Sequence, residues 1–598
     1  MTSRPEASRS LLPAIALLAG FVYARSAPHW ILGGDNGEFS TLFATGGIAH
    51  PPGYPTLVLW MRLWHWLPVA SAAYGAALTT ALVGALGVWA LSRACLAWGA
   101  SVPATAITTA IYAFSPLAWK MSSHAEVHAM NACFTAAILW LSAPPISGRA
   151  DGLRPLPRIV ALGLLAGVAI GAHQSIVFLA PIGLLAAARA ARDAPRPPFA
   201  AIAGVVALLA GVVPPYVYVY VVARTSDLHT TPMWIDGATL GDVLFDFRRG
   251  AYGTLSLSSI PVERAPVGHL WLFATTVTEQ TLGMPLVVLV FGANAVFKRS
   301  YRGVARPELA SWAALVLSFI LAGPVFVASF NLPFVGAGPQ VVERFYLMPE
   351  VILTVLAARS FGSSSRVVLR DGLAAGLTVL AALAALLYAA PEVREHNRAT
   401  VALYIENTLR GAPPNAIIVG TGDHRWGGFL YARYVSRLRP DVVCIVPAML
   451  KQPWYRKDAQ ELTGVSFDTP SHTAVGPVTL RDRLLATGRP VLYTDWPDPA
   501  VEKTRHYSVG TLMRVLREGE SPPSPAALEA LNRDTFASYE LEASPPVDPH
   551  GWGYGVVVDY ARAWGELGAA YAAAGDIARE QECYRRAGQL APWLVSAE

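Results

Sequence analysis

The feature that most constrains the fold is a series of long apolar segments along the first two thirds of the chain. An α-helix needs about 20 apolar residues to cross the ~30 Å hydrocarbon core of a bilayer. Such segments lie at 11–30, 72–97, 104–119, 127–143, 158–172, 175–190, 199–223, 280–297, 309–330, 346–361 and 368–390. Only 15% of all residues are charged, against about 25% in an average soluble domain. The sequence therefore predicts a polytopic α-helical membrane protein with eleven transmembrane helices.

The positions of the basic residues predict how these helices are oriented. Short cytoplasmic loops carry an excess of Lys and Arg. An N-terminus on the inside places every short basic loop on that side, namely those around Arg93, 149–158, 189–196, 298–306 and 366–370. The apolar stretch 53–68 would invert the later loops if it crossed, so we expect it to lie at the interface. In a bacterial host, these assignments predict an inner-membrane protein with a cytoplasmic N-terminus and a periplasmic C-terminal part.

Composition argues against several other classes of function. The formal net charge is +5 and no basic tract is present, so nucleic acid is not an expected partner. The four cysteines are scattered and form neither a disulfide framework nor a zinc-binding pattern. His124 and His128 could share a helical face, but no third ligand accompanies them. We therefore predict no metal site and no cofactor, and nothing in the sequence indicates a divalent cation.

The chain after residue 390 has the character of a soluble region. Strand-like segments at 415–420, 441–446 and 490–494 alternate with helical segments at 392–410 and 426–438. This alternation predicts a small α/β domain over 391–545, after a transmembrane domain over 1–390. The remainder, 546–598, follows tetratricopeptide spacing from Trp564 to Pro592, except that Glu580 stands where alanine is usual. It is predicted to form a helical hairpin.

The predicted topology gathers polar residues on the non-cytoplasmic face. They lie in the loop Asp35–Pro55, in His124–His128, at His173, in the loop 224–270 and at Glu343–Arg344. Ionisable groups at a membrane are costly and usually functional. The sequence therefore predicts a functional site at that surface.

Two carboxylates in the first of these loops are the strongest candidates for chemistry. Asp35 and Glu38 are three residues apart, between glycines that favour a turn before a helix beginning at about Asn36 or Gly37. An aspartate near a helix N-terminus stays ionised and can accept a proton as a general base. The alternative is an ordinary N-cap aspartate beside a surface glutamate.

A wider set of motifs resembles a known family. The segments Gly33–Glu38 and Ala49–Pro55 are similar to the first external loop of a bacterial membrane family that carries a domain of unknown function and is related to protein O-mannosyltransferases. Further similar motifs follow in order at 125–131, 171–173, 237–253, 343–349 and 422–442. The chain departs from the usual pattern at Asn36, His128, Ala172 and His424. Each motif alone is weak, and their common order is the specific signal.

The resemblance implies a fold and an activity. The fold would be that of the GT-C glycosyltransferases, with the site on the non-cytoplasmic face. The reaction would be an inverting transfer from a polyprenyl-phosphate-linked sugar, with Asp35 as the base. Mannose or a similar hexose is the expected sugar, and the acceptor would be a protein Ser/Thr, a glycan or a lipid hydroxyl.

The other candidate site residues each have a structural alternative. Arg344 is the best candidate for binding the leaving phosphate, and the alternative is an ion pair with Glu343 or another acid. Arg248 is a second choice, together with its neighbour Arg249, unless both are solvated loop charges. The remaining predicted substrate-binding residues are Glu38, His50, Tyr54, His124, Glu126 and His173. The alternatives are helix capping for the glutamates, ordinary packing for the histidines and an interfacial aromatic belt for Tyr54. For Asp423 and His424, at a strand end of the tail, a structural role is favoured over ligand binding.

Two other functions remain open from the sequence. A transporter would show paired repeats and ionisable residues near the middle of the bilayer, whereas the charges here lie at one face. A non-catalytic scaffold would use the tail to recruit partners, and the retained Asp35 and Glu38 argue against it.

Overall fold

The protein is described by a computed structural model over residues 6–144, 153–254, 256–257, 264–292, 306–334, 336–364, 371–467, 475–495 and 504–594. Within these residues, six helices are long and apolar enough to cross a membrane: Ala72–Ala97, Pro155–Ala172, Gln174–Arg192, Pro197–Thr225, Glu308–Ala328 and Gly372–Gly411. Together with the apolar Ser10–Ser26 and Val102–Ala113 helices, they make the chain a multi-pass membrane protein. The number of eleven spans stays a prediction. The basic loops 145–152, 293–305 and 365–370 lie outside the described residues.

Two of the predicted spans are interrupted in the structure. The span predicted at 104–119 divides into Val102–Ala113 and Pro116–Ser123, because Ser115 caps a new helix by accepting a hydrogen bond from the Ala118 amide at 3.3 Å. The span predicted at 280–297 begins at a bend of 89° between Pro266–Gln280 and Met284–Gly292. Gly283 has a left-handed backbone conformation and turns the chain there. The Pro266–Gln280 helix was absent from the prediction.

The span Gly372–Gly411 consists of two helices, Asp371–His396 and Thr400–Gly411. The other helices before the sheet are Glu6–Ser26, Asn36–Thr45, Pro55–Arg62, His128–Ser142, Leu240–Phe247, Gly338–Glu343, Arg344–Tyr346 and Leu347–Ser364. The Pro55–Arg62 helix has eight residues, which is too short to cross the hydrocarbon. The predicted helix 392–410 is divided at Asn397, so that its first part extends the last apolar helix.

Small residues set how closely two of the spans pack. A Cβ atom added to Gly163 would lie 2.3 Å from the Gly204 carbonyl oxygen, and one added to Gly167 would lie 2.2 Å from the Leu208 carbonyl oxygen. The backbones of Pro155–Ala172 and Pro197–Thr225 therefore touch. In a bilayer, such contacts replace the hydrophobic effect as the force that joins helices.

The tail contains a five-stranded sheet. Strands β1 (Ile417–Val419), β2 (Val443–Ile445), β3 (Val491–Tyr493), β4 (His506–Val509) and β5 (Leu512–Val515) are arranged in the order β2-β1-β3-β5-β4. The first three are parallel, and β4 and β5 form an antiparallel hairpin at the edge. The three predicted strands are present, and the edge hairpin was not predicted. The helices of this region are Asp423–Tyr431, Ala432–Ser436, Pro447–Lys451, Pro453–Thr463, Pro477–Leu485 and Pro525–Ala537.

The end of the described chain is a hairpin of two helices, Trp552–Ala573 and Ile577–Leu590, followed by the short turn Pro592–Leu594. It is fixed to the sheet region by buried charges. Asp559 accepts hydrogen bonds from Arg425 at 2.5 Å and from Tyr404 at 2.7 Å. Such a pair is costly to break once it is buried. Both the tetratricopeptide assignment and the boundaries between the three regions stay predictions.

Candidate active site

The first polar loop begins where the sequence predicts. The helix Asn36–Thr45 starts directly after Asp35, but the Asp35 side chain does not cap it. Asn36 holds the loop instead, because its Oδ1 accepts from the Leu32 amide at 2.7 Å and its Nδ2 donates to the Ala125 carbonyl at 3.2 Å. The N-cap alternative for Asp35 is therefore wrong, and its carboxylate is available for other contacts.

Arg344 binds that carboxylate. Its Nη1 donates to Asp35 Oδ2 at 2.6 Å and to Glu126 Oε2 at 3.4 Å. Glu343 instead accepts hydrogen bonds from Lys120, at 3.1 Å, and from Gln280. The alternative of an ion pair is thus present, but its acids are Asp35 and Glu126. Arg344 Nε is buried and has no hydrogen-bond partner within the described part of the chain.

The surroundings shift the pKa values of the two acids that share Arg344 in opposite directions. Burial raises the pKa of Asp35, but the positive charges of Arg344 and His50 outweigh burial and bring this pKa below its ordinary value. Burial raises the pKa of Glu126 to about 7, although Arg344 opposes the rise. At neutral pH Asp35 is ionised, whereas Glu126 is close to its midpoint. Asp35 therefore carries the negative charge needed to accept a proton, and Glu126 is able to hold a proton.

Glu38 joins the two ends of the loop through His50. It accepts from the His50 amide at 2.9 Å and from His50 Nδ1 at 2.6 Å. Burial lowers the pKa of His50, but the charges of Glu38 and Asp35 raise it more, to about 9. His50 is therefore charged at neutral pH, and Glu38, with 2% of its surface exposed, is not a surface residue.

Tyr54 and His173 form an aromatic wall next to this pair. The Tyr54 ring meets His50 edge-on at a centroid distance of 4.9 Å and stacks on His173 at 5.9 Å. Tyr54 has a left-handed backbone (φ 42°) after Gly53 and is buried. The interfacial-belt alternative for Tyr54 is therefore wrong. His173 also bonds Ser175 Oγ through Nδ1 at 2.7 Å.

The structure places two predicted residues away from the carboxylates. His124 Nδ1 bonds the Lys120 carbonyl at 2.7 Å, and its ring packs on His396. Arg248 is exposed and bonds the Leu244 carbonyl at 3.2 Å. By contrast, the charge of Arg249 acts on Asp35 and lowers the pKa of that carboxyl. Of the two loop arginines, Arg249 is the one whose field reaches the site.

Sequence reasoning underrated Asp423, which comes from the tail. The helix Asp423–Tyr431 touches the first loop so closely that a Cβ on Gly37 would lie 2.5 Å from the Gly427 carbonyl carbon. Burial and the charge of Asp35 raise the pKa of Asp423 to about 6, although its side chain keeps contact with solvent. The signal was present in the sequence, because Asp423 belongs to the last of the ordered motifs.

Asp35, Glu38 and His50 are residue types that can hold a metal ion, and their ligand atoms lie within 4.8 Å of one another. The arrangement fits such an ion poorly. Asp35 is paired with Arg344, and the charged His50 donates to Glu38. A metal would have to displace both of these contacts, since a histidine ligand must be neutral. The trio is therefore described best as part of a network of ion pairs.

Comparison with known proteins shows which proteins the chain resembles. Residues 35–193 match the family model "Protein O-mannosyl-transferase TMEM260 N-terminal domain". Over this segment the chain is similar to the protein O-mannosyl-transferases. The mouse protein O-mannosyl-transferase TMEM260 is 28% identical over 482 residues, which are 77% of this chain and 66% of the mouse protein. The Dictyostelium discoideum protein of the same name is 26% identical over 139 residues, or 22% and 17% of the two chains.

The chain thus spans less than two thirds of the length of these relatives. Among solved structures, ArnT from Cupriavidus metallidurans in the apo state covers 86% of this chain and all of its own, with 14% identity and a TM-score of 0.52. The same enzyme bound to undecaprenyl phosphate gives 16% identity and a TM-score of 0.49 over 85% and 99% of the chains. The apo structure supports the predicted GT-C-like fold, and the named relatives are protein O-mannosyl-transferases.

Proposed function

We propose that the protein transfers a hexose, with mannose as the first candidate, from a polyprenyl-phosphate carrier to an acceptor hydroxyl on the non-cytoplasmic face. The observation that carries this proposal is the ionised Asp35 held against Arg344 in a loop next to the apolar helices. A base beside a phosphate-binding cation is the pair that such a transfer needs. The names of the relatives make a protein Ser/Thr one candidate acceptor.

The reaction is a single displacement. The acceptor oxygen forms a bond with the anomeric carbon while the bond between that carbon and the phosphate oxygen breaks. The hydroxyl proton passes to Asp35, and the lipid phosphate leaves with the electron pair. Attack from the side opposite the phosphate inverts the configuration of the sugar.

Arg344 has two consecutive tasks in this proposal. Before the donor binds, it keeps Asp35 ionised and fixed, but an acid whose pKa is lowered is a weak base. When the phosphate arrives, the unpaired Nε and the rest of the guanidinium turn to its oxygens. Asp35 then loses part of its neutralising charge, and its basicity rises as the reaction begins. Glu126, with a pKa of about 7, remains beside Arg344 and limits this exchange to a short movement.

Glu38 and His50 have a positioning role. Their two hydrogen bonds hold the chain after the Asn36–Thr45 helix against its first turn. The preorganised loop fixes the direction of the Asp35 carboxylate, and misplacement by about 1 Å can cost a hundredfold in rate.

The test is the transfer of radiolabelled mannose from polyprenyl-phosphate-mannose in membranes with endogenous acceptors. We expect label with the wild type and none with Asp35→Asn at equal protein levels. Equal transfer by the variant would remove Asp35 from the role of base. The wild type could also fail to transfer mannose. If it then transferred none of a panel of other lipid-linked sugars, the non-catalytic scaffold would be the better description.

The proposed topology has its own test. Single cysteines at exposed Asp534 in the tail and at exposed Arg192 in a basic loop would be labelled in intact cells with a membrane-impermeant maleimide. The native cysteines would first be changed to serine. We expect labelling in the tail and none in the basic loop. The reverse pattern would invert the orientation.

A further inference from the structure

A second cavity of about 360 Å³ lies beside the carboxylate site, between the loop 234–251 and the tail. Its lining includes Pro51, Trp234, Asp246, Arg248, Gln452 and Trp454. The volume falls at the lower end of the range for small-molecule sites, about 300–1,000 Å³. The cavity is built from three separate parts of the chain, so it exists only when the tail is docked.

Asp246 is the unusual group in this cavity. Only 3% of its surface is exposed, and neither carboxylate oxygen accepts a hydrogen bond within the described part of the chain. Trp234 Nε1 is likewise buried without an acceptor there. Buried polar atoms are nearly always paired, and each unpaired one costs free energy. An acceptor and a donor that line the same cavity indicate a ligand that supplies both kinds of partner.

The walls around these polar atoms are aromatic. Trp234 lies 5.9 Å from Trp454 and 5.5 Å from Trp426, measured between ring centroids. Phe245 lines the same cavity. Flat apolar rings with a few fixed polar groups select ligands that have an apolar face and a polar edge.

We propose that this cavity binds a neutral sugar ring of the acceptor, so that the acceptor is a glycan rather than an unmodified protein side chain. The inference rests on the proposed function, since it names the substrate class of that reaction. A sugar has C–H faces that stack on indole rings, and its hydroxyls both donate and accept hydrogen bonds. Burial raises the pKa of Asp246 well above its ordinary value, and a protonated carboxyl also donates and accepts.

A peptide fits the same cavity less well. One common way in which an extended peptide binds is by adding its backbone to an open strand edge. The backbone beside the cavity is already paired. The Ile48 amide donates to the Pro232 carbonyl at 3.0 Å, and the Trp234 backbone amide donates to the Ile48 carbonyl at 3.2 Å. The groups left for a ligand are side chains, which suits a compact polar ring.

The position of Trp234 connects the cavity with the proposed chemistry. Its ring lies 6.1 Å from His50, measured between centroids, and His50 is bound to Glu38 in the loop that carries Asp35. A sugar held on Trp234 therefore lies one side chain away from that loop.

The test measures binding without turnover. Full-length protein carrying Asp35→Asn, in lipid nanodiscs, would be titrated with methyl α-mannoside, methyl β-glucoside and a Ser/Thr-containing peptide by saturation-transfer NMR. We expect the hexosides to bind and Asp246→Ala to weaken them about tenfold, which corresponds to roughly 1.4 kcal/mol. Asp246→Asn keeps the volume of the side chain, and Trp234→Phe keeps an aromatic ring in place of the larger indole, so both should weaken them less. Asp482→Ala on an exposed helix is the control and should have no effect.

The outcomes separate the two proposals. Hexoside binding that is absent, or that does not change in the Asp246 and Trp234 variants, would overturn the cavity assignment. Peptide binding that depends on Asp246, without hexoside binding, would overturn the substrate class. Asp246-dependent hexoside binding combined with failed sugar transfer would leave the cavity in place and refute the transferase. Elution volume and thermal unfolding of each variant establish that it is folded.

Discussion

Replacing Asp35 by asparagine separates its proposed chemistry from its structural contact. The amide keeps the size of the side chain but accepts no proton. General-base catalysis contributes about 10²–10⁴ in rate, so we expect kcat to fall by that factor. This loss equals about 3–5 kcal/mol of transition-state stabilisation. The donor KM should change much less, because Arg344 stays in place.

The same substitution also weakens a buried ion pair, and the structure offers a matched control. Breaking a buried pair costs about 3–5 kcal/mol of stability. Because Arg344 keeps Glu126 as a partner at 3.4 Å, we expect the loss of stability to lie at or below the lower end of this range. Glu126→Gln removes the other carboxylate from the same guanidinium nitrogen. Its expected effect is a similar or smaller loss of stability and less than about a tenfold loss of kcat, because the proposed base is intact.

The assay is transfer from a synthetic polyprenyl-phosphate-mannose under saturating donor, with thermal unfolding measured on the same preparations. A value of kcat for Asp35→Asn within about tenfold of the wild type would refute the assignment of the base. Equal losses of kcat in the Asp35 and Glu126 variants would also refute it, since the ion pair alone would then explain both.

Three further predictions concern the groups around this carboxylate. Arg344→Lys keeps the charge but not the fork of donors, so donor KM should rise and kcat fall in steady-state kinetics, and unchanged values would exclude phosphate binding there. Gly37→Ala would place a Cβ atom 2.5 Å from the Gly427 carbonyl carbon. It should push the tail away and make the tail more sensitive to proteolysis, and resistance equal to that of the wild type would contradict the close contact. The His50 pKa is raised from 6.5 to about 9, so the stability of its ion pair is complete below pH 6.5 and is lost as pH rises through 9. The melting temperature should fall over this range in the wild type and not in Glu38→Gln, and an equal fall in both would contradict the assignment.

The parts of the fold that follow from local pattern were predictable. Apolar length identified most of the membrane helices, and alternation of apolar and polar segments identified β1, β2 and β3. The bend at Gly283 was not predicted, because apolar composition continues through it. The hairpin of β4 and β5 was missed because its strands include polar residues, such as His506, Ser508 and Arg514, and therefore lack the continuous apolar run of β1, β2 and β3.

The candidate site was predictable in its residues but not in its pairings. Spacing in the sequence brought Asp35 and Glu38 to one loop, and the family resemblance added Arg344. The partner of Arg344 depends on how helices far apart in the chain pack, which no local pattern contains. The effect of Asp35 on Asp423 depends on packing in the same way, although the motif that contains Asp423 was recognised in the sequence. Trp234 and Asp246 were not singled out, because an unpaired buried acid looks in sequence like any loop aspartate.

The contact between Gly37 and Gly427 also has a consequence for biosynthesis. The loop that carries Asp35 is among the first parts of the chain to be made, and the helix that covers it follows the last membrane span. A partly synthesised chain therefore holds its reactive carboxylate without the surface that completes the acceptor cavity. Such an intermediate lacks the walls that would position a sugar acceptor. Under the proposed function, the chain would therefore begin to consume its lipid-linked donor only after the tail has folded onto the membrane domain.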